Sequence, residues 1–254
     1  MNTPSFLRRA RIAIHAFAEI ANWKEVLPLA ARGGSVTEIR LRNGSVIQAL
    51  PEAQLWPHFS DIWYHLSYTK HCPIPQGATV IDIGANVGVF ALFAARFASR
   101  VLALEPASSN FSLLLKNVAH AENVVPLHCA CAAQDGQGML NLSDDPVSYS
   151  LMTKSSTGAQ ECVELISLES LFLKHKIDRC DFLKLDCEGA EFGIILETAP
   201  SVLNRVQRIV MEYHDHLSNR FSHRDLSEKL RGLGFRITEY NPKGTYGMLA
   251  AVKY

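Results

Sequence analysis

Ionisable side chains stand two residues apart at the ends of two apolar segments in the second half of the chain. Asp186 and Glu188 follow the apolar run DFLKL, and Glu212 and His214 close the segment VQRIVMEYH. Side chains two residues apart on an extended strand point to the same face, so we expect each pair to share a face. His214 is the first candidate for a general base, because an ordinary imidazole titrates near neutral pH. Asp186 is the second candidate, and Glu212 completes the predicted catalytic group.

An earlier stretch, VIDIGANVGVF at 80–90, combines an acid with a glycine-rich turn. Gly84 can turn the backbone tightly because it has no Cβ, and Gly88 allows a helix or a ligand to approach closely. Asn86 tolerates left-handed backbone better than most residues. The turn opens an apolar helical pattern, and free N–H groups at the start of a helix can bind a carboxylate or a phosphate. Asp82, before the first glycine, can act on an ammonium group directly or through a water.

A second acid ends the next apolar segment, RVLALEP. Pro106 favours an extended backbone at Glu105, and a carboxylate there can accept hydrogen bonds from both hydroxyls of a ribose. A nicotinamide dinucleotide would need a third glycine, whereas Val89 and Phe90 follow Gly88. The aminocarboxypropyl tail of S-adenosylmethionine, which has an amine, a carboxylate and no phosphate, fits the acid and the turn. The predicted S-adenosylmethionine-binding residues are Asp82, Gly84, Asn86, Gly88, Glu105, Pro106 and Asp186.

Strands and helices alternate from residue 78 onwards, which predicts an α/β fold with a mostly parallel, doubly wound sheet. The last two strands, FRITEYN and YGMLAAVKY, are joined only by PKGT. Parallel neighbours need a dozen or more residues between them, so these two strands must form an antiparallel hairpin. We expect a cofactor-binding domain over 76–254 and an N-terminal extension over 1–75. The extension is predicted to contain a helix over 6–31, a β-hairpin turning at Asn43-Gly44 and an aromatic-rich cap.

Aromatic residues are concentrated just before the first strand of the core, at Trp56, Trp63, Tyr64 and Tyr68. They can stack on a sugar or exclude water at the mouth of the cofactor site, and they can equally pack the N-terminal helix on the core. The segment 144–156 is a second candidate lid.

Together these stretches resemble the FkbM-type S-adenosylmethionine-dependent methyltransferases over roughly residues 55–254. The resemblance rests on VIDIGANVGVFALFAA, VLALEPASSNFSLLLKNV, ISLESL, DFLKLDCEGAE and VMEYH. Cys187 and Tyr213 depart from the family's usual DVEGAE and acidic-Ile-His patterns. The resemblance implies a class I, Rossmann-like methyltransferase fold and methyl transfer to a hydroxyl of a sugar, lipid, peptide or polyketide.

Three other interpretations stay open. Asp186, Glu212 and His214 are also a set that can hold Mg²⁺, which would acidify the hydroxyl, although we favour a site without a metal. An NAD(P)-dependent oxidoreductase is disfavoured by the missing glycine and by the terminal hairpin. A non-catalytic S-adenosylmethionine-binding partner of another protein would not need the acids and the histidine.

The amino-acid composition limits the remaining classes of function and location. Lys+Arg 25 balances Asp+Glu 25 over 254 residues, and a neutral chain has no overall field to attract nucleic acid. The six cysteines show no paired metal spacing, which predicts free thiols and a cytoplasmic location. Charges interrupt the apolar runs, so we expect no membrane-spanning segment. The expected partner is a small-molecule hydroxyl acceptor, and a homo-oligomer stays open.

Overall fold

The computed structural model describes residues 5–142, 159–218 and 220–253. The helices there are α1 (Ser5–Glu19), α2 (Trp23–Ala31), α3 (Leu55–Trp63), α4 (Val89–Ala95), α5 (Ser108–Asn117), α6 (Leu168–Lys174), α7 (Glu191–Glu197), α8 (Pro200–Leu203) and α9 (His223–Gly232). The strands are β1 (Glu38–Arg40), β2 (Val46–Gln48), β3 (Ala78–Ile83), β4 (Ala98–Leu104), β5 (Val124–Leu127), β6 (Ala130–Ala132), β7 (Gly136–Asn141), β8 (Gln160–Ser167), β9 (Phe182–Leu185), β10 (Arg208–His214), β11 (Arg236–Lys243) and β12 (Tyr246–Val252). Within these ranges, none of the helices has both the length and the hydropathy that crossing a membrane requires.

A seven-stranded sheet in the order β5-β4-β3-β9-β10-β12-β11 forms the centre of the fold. The strands from β5 to β10 run parallel, and β12 runs antiparallel to both of its neighbours. Nearly every residue of β3 and β9 is buried, as expected for the inner strands of a parallel sheet covered on both faces. The predicted doubly wound sheet and its terminal antiparallel hairpin are both confirmed.

The strand order reverses beside β3. The chain passes from β3 outwards to β4 and β5, and it later returns to β9 on the other side of β3. Ligands of open α/β sheets bind at this point, outside the carboxyl ends of the strands. The two strands are in register, with Asp82 opposite Lys184. The N–H of Asp186, just after β9, donates to the carbonyl of Ile83 at 3.1 Å, so the chain segments that follow both strands meet at this edge.

The N-terminal residues pack on one face of the sheet. Buried side chains of α1, of the hairpin β1–β2 and of α3 belong to the same apolar cluster as Val80, Phe90 and Phe182. The hairpin is present as predicted, with β1 antiparallel to β2 and Gly44 at a φ of +92° in the turn. The extension and the sheet therefore share one hydrophobic core.

The single helix predicted over 6–31 is wrong, because α1 ends at Glu19 and α2 is a separate helix. Asn22 occupies the break. Its side-chain oxygen accepts the N–H of Arg40 at 2.9 Å, and its side-chain nitrogen donates to the carbonyl of Glu38 at 3.3 Å. These bonds join the helix pair to the hairpin, and helical periodicity gives no sign of them.

A separate three-stranded sheet, in the order β6-β8-β7, lies beside the central one. The apolar stretch NVVPLHCAC divides into β5 of the central sheet and β6 of the small sheet. β7 lies in a polar stretch, and its mostly exposed residues lack an apolar pattern. β6 and β7 both pair with β8, which comes later in the chain.

Gly84 and Gly44 are a matched pair for testing the turn after β3. Both have a positive φ, but a Cβ at Gly84 would overlap the carbonyl oxygen of Asp186, whereas one at Gly44 would meet nothing within 4 Å. We expect Gly44→Ala to lower the free energy of unfolding by about 1–2 kcal/mol, the cost of left-handed backbone. Gly84→Ala should cost about 3 kcal/mol or more, because overpacking adds to that strain. Urea denaturation measures both, and equal losses would show that β9 does not crowd the turn.

Candidate functional site

Backbone hydrogen bonds hold the turn after β3 against the end of β4. The N–H groups of Gly84 and Ala85 donate to the carbonyl of Leu104, at 3.1 and 2.8 Å. Gly84 and Asn86 have φ values of +75° and +50°, which Gly adopts freely and Asn tolerates. In this geometry the N–H of Asn86 donates to Oε2 of Glu105 at 2.8 Å.

Gly88 allows two helices to pack. A Cβ there would lie 2.7 Å from a side-chain atom of Leu114 and 3.3 Å from one of Val118, so α5 lies directly against the start of α4. Of the two uses predicted for Gly88, close helix packing is the one that this geometry shows.

Glu105 is buried and fixed by the backbone. Besides the bond from Asn86, its Oε1 accepts the N–H of Ala107 at 3.0 Å. Burial raises the pKa of Glu105 to about 7, although the hydrogen bonds from Ala107, Asn86 and Asn110 act in the opposite direction. An ionised carboxylate offers about four lone pairs. Asn86, Ala107 and Asn110 use three of these, so the carboxylate keeps the capacity to accept about one more donor, such as a ribose hydroxyl.

A cavity that is partly open to solvent lies at the carboxyl ends of β3, β4 and β9. Small-molecule ligands commonly bind in concave sites of this kind. The predicted cofactor residues that line it are Gly84, Asn86, Glu105, Pro106 and Asp186. The other residues of its wall are His58, Ile83, Leu104, Asn110, Cys129, Ala130, Cys131, Leu140, Cys187, Glu188 and Ala190.

Asp82 lies beneath the cavity and is not among the residues of its wall. Its side chain is fully buried, and Nζ of Lys184 lies 3.0 Å from its Oδ1. The two residues are opposite each other on neighbouring strands, so their side chains share a face and pair. The geometry therefore does not support the predicted action of Asp82 on the ammonium group of a ligand, and it indicates a supporting role instead.

Lys184 connects the glycine turn to the end of β9. Its ammonium group donates to the carbonyl of Gly84 at 2.7 Å and lies 3.8 Å from Oδ2 of Asp186. Burial lowers the pKa of Lys184, but the carboxylates of Asp82 and Asp186 raise it by more, so its pKa lies above the usual range. Lys184 is therefore a buried cation.

Asp186 lies at the cavity with 17% of its side chain exposed. The hydroxyl of Tyr68 donates to its Oδ2 at 2.6 Å. Burial raises the pKa of Asp186, but Lys184, the hydrogen bond from Tyr68 and the charge of His214 together hold it below its usual value. Asp186 is therefore an ionised carboxylate at neutral pH.

Asp186 and Glu188 do not share a face, in contrast to the expectation from the sequence. β9 ends one residue before Asp186, and Glu188 has a φ of +51°, so the extended geometry does not persist. Glu191, the first residue of α7, stabilises this turn by accepting the N–H groups of Cys187 at 3.0 Å and Gly189 at 2.8 Å. The acid at the start of this helix therefore has a structural task.

His214 ends β10 between two carboxylates. Its Nδ1 lies 3.5 Å from Glu191, and its Nε2 lies 3.7 Å from Glu188. Burial lowers the pKa of His214, but the contact with Glu191 and the charges of Glu191, Glu188 and Asp186 raise it to about 9. At neutral pH this imidazole already carries its second proton. Its surroundings therefore do not support the role of general base predicted from its ordinary pKa.

Glu212 lies two residues before His214 on β10. Burial and the charge of Asp186 raise the pKa of Glu212 to about 7, while the charge of His214 opposes them. A general base works best when its pKa lies near the working pH. The arrangement therefore favours Glu212 as the group that accepts a proton at neutral pH.

The three candidate Mg²⁺ ligands are not gathered as a coordination site. Over the described ranges, no group of three or more His, Cys, Asp or Glu side chains is placed to hold a metal ion. Both ring nitrogens of His214 face Glu188 and Glu191, and neither of these acids belonged to the predicted set.

The aromatic cap mainly packs the extension on the core. Trp63 is buried, and its indole N–H donates to the carbonyl of Val89 at 3.3 Å. Phe59 stacks on Trp63 and also contacts Trp56 and Tyr64. The second candidate lid, 144–156, lies outside the described residues.

Sequence inspection missed three polar residues at the site: Lys184, Asn110 and His58. Lys184 could have been identified from the sequence, because a lysine inside a buried apolar strand such as DFLKL must be paired with an acidic group. Asn110 lies in the first turn of α5 and borders the same cavity as Glu105. His58 comes from α3 of the extension, and nothing in the sequence relates it to the strand ends.

The pKa of His214 can be measured directly by ¹⁵N NMR titration of the free protein. We expect a midpoint near 9, well above the ordinary value of about 6.5. Glu188→Gln should lower this pKa, because it removes a carboxylate that faces Nε2. Glu164→Gln, which changes an exposed acid, should leave it unchanged. A midpoint near the ordinary value in the unmodified protein would restore His214 as the candidate base.

The fold matches that of solved methyltransferases. The fibrillarin pre-rRNA processing protein of Methanococcus jannaschii is 14% identical, with a TM-score of 0.50, and the match covers 85% of this chain and 93% of that one. At this identity the comparison shows the fold alone, which is the class I methyltransferase fold.

Two curated relatives are similar in sequence. The 31-O-demethyl-FK506 methyltransferase FkbM of Streptomyces tacrolimicus is 23% identical, in a match that covers 71% of this chain and 82% of that protein. The AMB antimetabolite synthetase AmbE of Pseudomonas aeruginosa is 25% identical, in a match that covers 79% of this chain. The matched region spans only 12% of the length of AmbE.

A sequence model described as the methyltransferase FkbM domain matches residues 82–237, more than half of the chain. The match includes the glycine turn, Glu105, Asp186, Glu212 and His214. The family and the fold imply S-adenosylmethionine as the methyl donor. The chain belongs to the FkbM methyltransferase family.

Proposed function

We propose that this protein transfers a methyl group from S-adenosylmethionine to a hydroxyl of a small molecule such as a sugar, lipid, peptide or polyketide. The observation that carries the proposal is Glu212, a carboxylate that interacts electrostatically with Asp186 and Glu188 of the cavity wall and has a pKa raised to about 7. A hydroxyl is a weak nucleophile at neutral pH and needs a group that takes up its proton. The name of the FkbM relative, an O-demethyl-FK506 methyltransferase, supports a hydroxyl acceptor.

The residues at the cavity fit S-adenosylmethionine. Glu105 can still accept about one further donor, such as a ribose hydroxyl, and Pro106 and Asn110 also line the cavity. Gly84 lets the carbonyl of Asp186 approach where a Cβ would overlap it, so the two chain segments meet at the cavity. Asp186 supplies a negative charge, which suits a ligand that carries an ammonium and a sulfonium group.

The residues of the chain divide the work of methyl transfer. When bound, S-adenosylmethionine supplies an electrophilic methyl group. The protein must align the acceptor oxygen with that group, which is mainly a matter of proximity and orientation. Glu212 accepts the proton of the hydroxyl. The imidazolium of His214 and the carboxylate of Asp186 set the charge around Glu212 and orient the acceptor.

The proposal extends to the location, the acceptor class and the domain organisation of the protein. Free thiols at all six cysteines favour a cytoplasmic location. A neutral charge balance favours a small-molecule acceptor over a nucleic acid. We also propose that residues 1–75 form an extension, that residues 76–254 form the catalytic domain, and that the protein is a homo-oligomer.

Cofactor binding is tested by thermal unfolding of the whole chain with S-adenosylmethionine, S-adenosylhomocysteine or NAD added separately. A ligand at 100 times its dissociation constant stabilises the folded state by about 2.7 kcal/mol. We expect the two sulfur nucleosides to raise the unfolding midpoint by roughly 5–10 °C. NAD should produce no shift.

Calorimetry of two variants locates that binding. Glu105→Gln should weaken the affinity for S-adenosylhomocysteine about tenfold or more, because hydrogen bonds to a charged group are lost. Glu122→Gln, which changes an exposed acid before β5, should have no effect. A shift with NAD alone would overturn the assignment of the cavity. Tight cofactor binding without transfer in a broad acceptor screen would favour the non-catalytic partner.

The pKa values predict a bell-shaped dependence of kcat on pH for an acceptor found in such a screen. Activity should rise through about pH 7 as Glu212 loses its proton. It should fall above about pH 9, because His214 then loses the charge that faces the site. Glu212→Gln should lower kcat by about 10²–10⁴-fold while leaving the affinity for S-adenosylhomocysteine nearly unchanged.

Glu228→Gln, which changes an exposed acid on α9, is the control and should match the unmodified protein. An unchanged kcat in Glu212→Gln would remove Glu212 from the role of base. Loss of activity with a chelator, restored by Mg²⁺, would instead support the metal site of Asp186, Glu212 and His214.

A further inference from the structure

Tyr68 links the extension to the edge of the sheet where Asp186 lies. It is buried, with 5% of its surface exposed, and its hydroxyl donates to Oδ2 of Asp186 at 2.6 Å. Burial and the nearby carboxylates raise the pKa of Tyr68 well above its usual value. Its hydroxyl therefore keeps its proton and acts as a donor to Asp186.

The same oxygen of Asp186 is approached by Lys184. Nζ of Lys184 lies 3.8 Å from Oδ2, and it also lies over the ring of Tyr68, 5.3 Å from the centroid. The hydroxyl of Tyr68 and the ammonium group of Lys184 therefore both lie next to Oδ2 of Asp186. The exposed part of the side chain remains at the cavity wall, where Asp186 can meet a ligand.

The segment that carries Tyr68 is fastened a second time. The hydroxyl of Tyr240, on β11, donates to the carbonyl of Ser67 at 2.8 Å, and the ring of His71 packs on Tyr240 with centroids 4.4 Å apart. Phe90, at the start of α4, contacts the ring of Tyr68 edge-on at 5.5 Å. These contacts fix the position of the tyrosine hydroxyl relative to the sheet.

We propose that Tyr68 is a positioning residue of the methyl-transfer site. Its hydroxyl and the ammonium group of Lys184 hold Asp186 in one orientation, with its free oxygen towards the cofactor cavity. The extension thereby contributes to a site whose carboxylates and lysine come from the core. The part of this inference that concerns cofactor affinity rests on the function proposed above, whereas the contact itself does not.

The first arm of the test reads the contact without any cofactor. In protein labelled with ¹³C at the tyrosine ring, the signal of Tyr68 is assigned by its loss in Tyr68→Phe. Asp186→Asn should move that signal, because the charged acceptor of the hydroxyl is replaced by an amide. Glu188→Gln, which changes a neighbouring acid on the same cavity wall, should leave it in place.

The second arm measures the dissociation constant of S-adenosylmethionine by calorimetry. Tyr68→Phe keeps the ring and removes only the hydroxyl, so we expect the constant to rise about three- to tenfold, as for one lost hydrogen bond. Tyr240→Phe is the matched control, because it removes a tyrosine hydroxyl that fastens the same segment without touching Asp186. It should bind like the unmodified protein, and thermal unfolding checks that both variants are folded.

The outcomes separate the two proposals. An unmoved Tyr68 signal in Asp186→Asn would overturn the contact. A moved signal with unchanged affinity in Tyr68→Phe would overturn the positioning role, as would equal losses in Tyr68→Phe and Tyr240→Phe. No binding of the cofactor by the unmodified protein would defeat the proposed function, whereas the labelled signal would still decide whether Tyr68 holds Asp186.

Discussion

The buried ammonium group of Lys184 is the interaction on which the site depends. Placing an unpaired charge in the interior costs several kcal/mol, so such a cation must be matched and hydrogen-bonded. Lys184 meets this requirement with Asp82 at 3.0 Å, Asp186 at 3.8 Å and the carbonyl of Gly84 at 2.7 Å. Because these partners come from β3, from the turn after it and from the end of β9, one charge fixes the glycine turn relative to the chain that follows β9. Removing Asp82 would leave the buried ammonium group dependent on the more distant charge of Asp186.

Because the charged groups of the site lie close together, they shift one another's pKa values. Lys184 and Tyr68 keep Asp186 ionised, and the charge of Asp186 then helps to raise the pKa of Glu212 to about 7. Glu191 and Glu188 draw a proton onto His214. Environments that push the pKa values of adjacent groups apart commonly separate the roles of acid and base. Glu212 is thus suited to accept a proton, and His214 is suited to carry a charge. Their ordinary pKa values would indicate the reverse.

The sequence was informative wherever a local pattern determines the structure. Apolar runs revealed the strands of the central sheet, the short PKGT connection required an antiparallel hairpin, and the positive φ values at Gly84 and Gly88 match a glycine turn. It was uninformative where the decisive partner is distant. The break at Asn22 depends on Arg40, and β7 depends on β8 across the intervening chain. The pKa of His214 also depends on acids whose approach follows from the turn at Glu188 and not from strand alternation.

The extension supplies what the core lacks. A class I methyltransferase core brings a cofactor turn and acidic strand ends together, but a fold does not by itself determine the acceptor. Here α3 places His58 on the wall of the cofactor cavity, and the next segment places Tyr68 on Asp186. The rest of the cap, around Phe59 and Trp63, fixes those two residues by packing on α4. Both polar residues come from one packed segment, so part of the cavity wall and the hydrogen bond to Asp186 depend on that segment. A change in α3 or in the residues after it would therefore alter this part of the cavity, while Lys184 and its partners could stay as they are.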